Sequence, residues 1–483
     1  MARYPLASRP ACHIQLKYPL MTDITLIVEN ALLITLAPGQ DEAFSGWFSV
    51  DDVGRIVEVG RGSPPVGLSA DDRLDAGGAF VAPGFVSAHS HLSTSGSRGL
   101  GVDVPLYGWG DQMTKYTRHC DADDIYWVVM HGALDFLGNG ITTAYDFTDT
   151  RLAFAMIEGQ RVQFGDLKPK EYAEAQFRAK IDAGIRFINS IHINDQVGTD
   201  AEITARFTET FEYCEAYPDS GQYLGTSISG AVQWSDTPET ARREVELMRR
   251  YGVINQPHFL ETPEQLEVQR SKFAWYQNAG ALGPDLIFGH FVHPTDEMIS
   301  TAARCGCAMC WQPTSNGRLA SGVADIPRFV KEGMRVGVGL DDQACTDISD
   351  PFQNMRMGIY IQRAHRQDAK AMGVVQMLRL HTMGSAEALG IADDVGSLEP
   401  GKYADFLLVD PRRPDTGPLW DPVATYVLAC GLRSLKAVYV GGRCVNRDGI
   451  SHNPLAAQAS QELHARLGRI AASVTPEKTA VPA

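Results

Sequence analysis

Residues 80–91 read FVAPGFVSAHSH. The run is short, apolar on successive residues and polar only at its end, which is how a strand buried on both faces reads. Seven further runs share its length and texture, at 141–147, 185–193, 222–230, 253–259, 286–291, 307–312 and 335–340. Helix-like stretches lie between them. The cap-competent DADD at 121–124 precedes IYWVVMHGALDFL, and residues 239–251 read ETARREVELMRRY. Eight strands, each followed by a helix and buried on both faces, predict an α/β fold of the TIM-like (β/α)8 barrel class. No motif repeats at a fixed period.

The flanks have a different texture. Residues 24–60 and 403–450 are short β-branched runs broken by Gly, Asp and Pro. Neither would make a stable sheet alone, so the two ends are expected to combine. The predicted layout is an N-terminal extension at 1–23, a composite β-sandwich domain from 24–82 and 403–450, the catalytic barrel at 83–402, and a C-terminal helix and tail at 451–483. The first 20 residues lack a continuous apolar stretch, so they do not read as a secretory signal; they read as an extension ahead of Met21.

The 483 residues are 44% hydrophobic and 21% charged, enough apolar side chain for a large core. A net charge of −15 repels phosphate backbones and anionic lipid, which argues against nucleic-acid and membrane partners and for a small-molecule substrate. No run of 18 apolar residues exists to cross a bilayer. Nine widely spaced cysteines suit reduced thiols in a cytoplasm.

In a barrel, chemistry sits at the C-terminal ends of the strands. The first ends in His89-Ser90-His91, the fifth in Gln256-Pro257-His258, the sixth in Gly289-His290 and the eighth in Gly339-Leu340-Asp341. Residues i and i+2 of a strand face one way, so His89 and His91 can grip one ion between them. Three imidazoles and a carboxylate suit zinc, with Mn, Fe, Co or Ni as alternatives; a fourth imidazole is left for another role. One such histidine is more often a core residue than a ligand. Four strand ends coinciding on one face outweigh that.

AFVAPGFVSAHSHL, HFLET, GHFVHP, QPTSNGRLASGVADIP, GVGLDD and VGSLEPGKYADFLLVD occur in the order found in the amidohydrolase superfamily. The chain resembles its ATZ/TRZ-like chlorohydrolase/deaminase branch over roughly 24–450. That resemblance implies His89, His91, His258 and Asp341 as metal ligands, and Glu261, His290 and Asp341 as the catalytic groups, with Glu261 moving protons and His290 bonding the oxygen that becomes negative. It further implies one metal ion, because neither 185–193 nor 222–230 offers the lysine that binuclear relatives carboxylate. Relatives are commonly homo-oligomers. Glu261 has a competing structural role as a charge at a helix start, since Thr262-Pro263-Glu264 resembles one.

Tyr107 and Trp109, in the Gly-rich loop at 93–111, are expected to line the pocket, with His192, Asn316 and Asp342 as further substrate contacts. Cys305, Cys307 and Cys310 read as buried small hydrophobes. His119, His131, His365 and His381 read as structural. The segment after Asp341 decides the substrate reading. Ring deaminases usually carry Gly there, whereas this chain has Asp341-Asp342-Gln343 and then ACTDISDPFQNMRMG. It is more similar to the phenylurea hydrolase and molinate hydrolase group. The expected reaction is hydrolysis of the carbonyl C–N or C–S bond of an amide, urea or carbamate with an aromatic or apolar arm. The alternatives are an aminohydrolase or dechlorinase of an N-heteroaromatic ring, and a non-catalytic scaffold.

Overall fold

The computed structural model describes residues 23–474, apart from 158–159, 164 and 219. The expected N-terminal extension, but for Asp23, and the tail from 475 onward lie outside the described residues.

Eight parallel strands form in chain order: β1 (Phe85–His91), β2 (Ile141–Asp146), β3 (Arg186–His192), β4 (Tyr223–Gly230), β5 (Ile254–Phe259), β6 (Ile287–His290), β7 (Ala308–Trp311) and β8 (Arg335–Val338, resuming at Asp341–Asp342). Each pairs with the next. The first half of β8 pairs with β7, and its second half pairs with β1 through Asp341 opposite Ser90, which closes the ring. The alternation is visible residue by residue. Val86, Ala88, Tyr145, Phe147, Ile188, Ile287, Ala308 and Cys310 fill the barrel interior. Their chain neighbours Phe85, Ala144, Phe187, Phe288 and Met309 face outward into the helix layer. Both faces are buried, so the runs carry little polar alternation.

The helices follow from local signals. Asp121 caps Ala122–Gly138 in a reciprocal box with Asp124. Ile125, Val129, Met130, Ala133 and Phe136 of that helix are fully buried, each large one contributing roughly 1.5–3 kcal/mol. The C-terminal helix Ala456–Val474 packs on it, with Arg466 bonding both Asp123 and Asp124.

The two chain ends form one continuous nine-stranded mixed sheet. It curls strongly: Phe48 and Phe406 are three strands apart in the pairing order, yet their ring centroids lie 5.2 Å apart. Strand Phe80–Pro83 of this sheet runs directly into β1, so the terminal sheet delivers the chain to His89 and His91.

Two elements depart from expectation. Residues 93–111 are not one loop; after a short turn at Leu92–Ser97, a helix spans Leu106–Thr117. Leu106, Trp109 and Met113 recur at i, i+3 and i+7 and are buried, and that packing overrides the helix-weakening Gly108 and Gly110. A hairpin, Phe154–Ile157 with Gln160–Gln163, follows β2 and packs on this helix. No described helix is long and apolar enough to cross a membrane.

Candidate active site

His89, fully buried, is fixed by Gln256 from β5. The Gln256 Nε2 donates to the Ala88 carbonyl at 3.1 Å, so its Oε1 faces His89 Nδ1 at 2.5 Å as an acceptor. The proton of His89 therefore sits on Nδ1, and Nε2 turns a lone pair into the cavity. Space for the ring is made by glycine. A Cβ on Gly289 would lie 2.9 Å from His89 Cε1, and one on Gly339 2.5 Å from the His89 carbonyl oxygen.

The remaining donors converge from separate strands. His91 Nε2 lies 3.0 Å from His258 Nε2 and 3.6 Å from Asp341 Oδ1, while His89 Nε2 lies 3.3 Å from Asp341 Oδ1. Ser315 donates to Asp341 Oδ2 at 2.6 Å, which leaves Oδ1 facing the imidazoles. His290 Nε2 lies 3.5 Å from Glu261 Oε2 and 3.8 Å from Asp341 Oδ2. His290 and Asp341 both have positive φ, 65° and 66°, so strained backbone turns these side chains inward where their strands end. Asp146 secures the chain just past His91 by accepting from the Leu92 amide at 2.9 Å, and it is itself held by buried Lys180 at 2.6 Å.

These donors suit a divalent cation. Ligand atoms of His89, His258, His290 and Asp341 lie within 4.8 Å of one another, as do those of His91, Asp341 and Asp342. His89 Nε2, His290 Nε2 and Asp341 Oδ1 are buried without a hydrogen-bond partner, which is costly unless something else meets them. Burial pushes the imidazoles of His91 and His290 down to about 3 and that of His258 well below its ordinary value, so they are neutral. Burial, then the charge of Asp341, holds the carboxyls of Glu261 and Asp342 well above the usual range.

The cavity above the cluster encloses about 1030 Å³ including its open mouth. His91, His258, His290, Asp341, Glu261 and Asp342 line its floor, and His192 and Ser229, 3.2 Å apart, line one side. Leu106, Tyr107, Trp109, Met113, Phe154, Trp234 and Leu319 form an apolar wall. Every substrate candidate named from the sequence except Asn316 reaches this cavity. Asn316 instead bonds His290 Nδ1 at 2.9 Å, behind the lining. Glu261 is not a helix-start charge: the next helix begins at Leu266, after a left-handed Gln265, and Glu261 is buried against His290. Cys307 and Cys310 are buried with thiols pushed up by that burial, whereas Cys305 is exposed.

Sequence reasoning gave no role to Gln256, Ser315 or Phe154. Gln256 had a signal, since strand alternation puts it on the same face as His258. Ser315 and Phe154 had none, because each reaches the site from a segment whose path only the fold defines.

A 5-methylthioadenosine/S-adenosylhomocysteine deaminase of Pelotomaculum thermopropionicum is 29% identical over 432 residues, covering 87% of this chain and 93% of that protein. A 5'-deoxyadenosine deaminase of Methanothermobacter thermautotrophicus is 26% identical over 404 residues, 82% and 88% of the two chains. The crystal structure of a zinc-bound adenosine deaminase from Xanthomonas campestris superposes with a TM-score of 0.80 at 21% identity, covering 93% and 99%. The sequence model of the amidohydrolase family matches residues 80–445, three-quarters of the chain, and with barrel, terminal sheet and strand-end donors in place this protein belongs to the amidohydrolase family, hydrolases of carbon–nitrogen bonds.

Proposed function

We propose that this protein is a mononuclear, divalent-metal-dependent aminohydrolase that removes an exocyclic amino group from an N-heteroaromatic ring carrying an apolar substituent. The observation that carries this reading is the buried pairing of Glu261 with His290 Nε2 beside the unpartnered His89 Nε2 and Asp341 Oδ1. His89, His91, His258 and Asp341 would hold the ion, and three imidazoles with one carboxylate suit zinc. An ion held there would supply Lewis acidity, letting water ionise closer to neutral pH.

The side chains do the rest. Glu261 takes a proton from the attacking water and passes it to the substrate nitrogen, so that ammonia leaves. His290 donates from Nε2 to the oxygen that gains negative charge as the ring carbon becomes tetrahedral. Trp109, Tyr107 and Trp234 line the cavity, the last two meeting edge to face, and offer an aromatic wall to a ring and its substituent.

The substrate class departs from the sequence-based expectation. A reading as a phenylurea- or molinate-like hydrolase of amides, ureas or carbamates gains no support from the relatives above, whose names are those of adenosine-type deaminases. Asp342 in place of Gly is accommodated on the cavity floor, so it does not by itself exclude a ring.

The test is product analysis. Protein loaded with Zn2+, Mn2+ or Co2+ is incubated with adenosine, 5'-deoxyadenosine and 5-methylthioadenosine, with aminotriazines, and with N-aryl ureas and anilides. Ammonia from the ring substrates, abolished by chelation and restored by metal, is the expected result. Aniline release without ammonia would replace this reading with amide or urea hydrolysis.

A further inference from the structure

We infer that Asn316 decides which nitrogen of His290 carries the proton, and thereby keeps His290 a hydrogen donor instead of a metal ligand. The inference rests on the proposed function only in placing His290 beside the reacting water.

His290 is fully buried, and its Nδ1 faces Asn316 Nδ2 at 2.9 Å. An amide NH2 can only donate, so Nδ1 must be the acceptor and has no proton of its own. A neutral imidazole then carries its single proton on Nε2. That nitrogen faces two acceptors, Glu261 Oε2 at 3.5 Å and Asp341 Oδ2 at 3.8 Å. A protonated Nε2 has no lone pair to give a cation.

His89 makes the contrast. It belongs to the same cluster of donors, yet its Nδ1 faces an amide oxygen, that of Gln256. Two carboxamides thus present opposite ends to two histidines less than 5 Å apart, ring centroid to centroid. The oxygen of Gln256 frees the His89 lone pair for metal, and the nitrogen of Asn316 denies that lone pair at His290. Distance alone groups His290 with His89, His258 and Asp341; the hydrogen-bond pattern takes it out of that set and leaves the fourth place to His91.

The backbone that carries Asn316 is well held in the helix Pro313–Arg318: its main-chain N–H donates to the Gln312 carbonyl and its main-chain carbonyl accepts from the Ser321 N–H, both at 2.9 Å. The Asn316 carboxamide itself meets His290 through Nδ2, and its Oδ1 is buried without a partner. Turning its carboxamide by half a revolution would present Oδ1 to His290 and place the proton on Nδ1, so the two arrangements are experimentally distinct.

The experiment reads the proton directly. Metal-free, full-length protein labelled with 15N-histidine is examined by long-range 1H–15N correlation, with the His290 signals identified by their loss in His290→Asn. The expected wild-type pattern has the proton on Nε2 and a bare Nδ1. Asn316→Asp, which offers only acceptors, is expected to bring a proton to Nδ1. Asn316→Ala is expected to give a mixture. In the metal-loaded enzyme Asn316→Asp should lower kcat about a hundredfold, as loss of one oxyanion donor does. A wild-type proton on Nδ1, or a wild-type pattern unchanged in both variants, overturns the inference. Because the proton is located without metal or substrate, this outcome is independent of whether ring deamination is the reaction.

Discussion

Gln256 shows how much of this site is a matter of angle. Its two amide ends bond β1 at two points, Ala88 and His89, across 168 and 167 residues of sequence. Replacing it by Leu keeps the volume and removes the acceptor, so the His89 ring loses the bond that fixes its tautomer. Metal affinity is expected to fall about 10–100-fold, as for other supports of metal-bound histidines, measured by competition with a chromogenic chelator. Unchanged affinity would mean that packing against Gly289 and Gly339 suffices to hold the ring. Glu261→Gln has the opposite signature. The amide retains the shape but cannot shuttle a proton, so metal content is expected to stay near one per chain while kcat falls by about 10²–10⁴. Near-normal turnover would assign the proton transfer to another group. The histidines and Asp341 were legible in the sequence because strand ends and i, i+2 alternation are local properties, whereas Glu261 was legible only through the family resemblance, since it lies past the end of β5. Gln256 and Ser315 were not, since a supporting role is defined by a partner that only the closed barrel brings near. Asn316 was legible as a site residue and misplaced as a substrate contact, because sequence cannot tell the lining of a cavity from the layer behind it.

Among the elements, the eight strands were readable for one physical reason. Burial on both faces makes each a contiguous apolar run, a signal that needs no tertiary knowledge. The helix Leu106–Thr117 and the hairpin after β2 were not, because two glycines and a polar composition weaken their local preference and their order comes from packing on each other. How β4, β5 and the helix Glu239–Tyr251 are joined has a pH signature. Glu244, buried in that helix, accepts from the Ala231 amide and Asn255 Nδ2, both at 2.7 Å, and from the Tyr276 hydroxyl. Burial pushes its carboxyl from 4.5 up to about 7, against those three hydrogen bonds. Between pH 4.5 and 7 the folded protein therefore holds a proton that the unfolded chain has released. Stability from this group is complete below about pH 4.5 and is lost as pH rises through about 7, by about 3 kcal/mol at 1.4 kcal/mol per pH unit. Glu244→Gln should be tolerated, since Asn255 Oδ1 is buried without a partner and can accept from the new amide after a half-turn. Denaturation midpoints of the variant are expected to change less between pH 5 and 8 than those of the wild type, and to exceed them at pH 8. A variant with the wild-type slope would place the titration elsewhere.

At the scale of the whole molecule, the terminal sheet and the barrel are joined by a buried ion pair. Arg186, at the start of β3, meets Asp405, next to strand Phe406–Val409, in a fork: Nε to Oδ2 at 2.7 Å and Nη2 to Oδ1 at 3.0 Å. Both side chains are only 4% exposed. The Gly441 amide adds a bond to Asp405 at 2.7 Å, and the guanidinium lies 3.5 Å over the Tyr403 ring. Asp405→Ala would strand the guanidinium without its counter-charge, which costs about 3–5 kcal/mol at a buried site. Replacing both partners with apolar residues, Arg186→Met with Asp405→Leu, should recover much of that loss, because no uncompensated charge remains. The pair lies at the opening end of β3, whereas His192 and the donor cluster lie where the strands finish. Weakening the join is therefore expected to lower the thermal midpoint while leaving metal content and kcat per folded molecule unchanged. Differential scanning calorimetry with metal analysis on the same samples checks this. A fall in metal content or kcat without a change in thermal midpoint would show that the terminal sheet sets the position of His89 and His91 through strand Phe80–Pro83, so that the second domain tunes the site as well as supporting the fold.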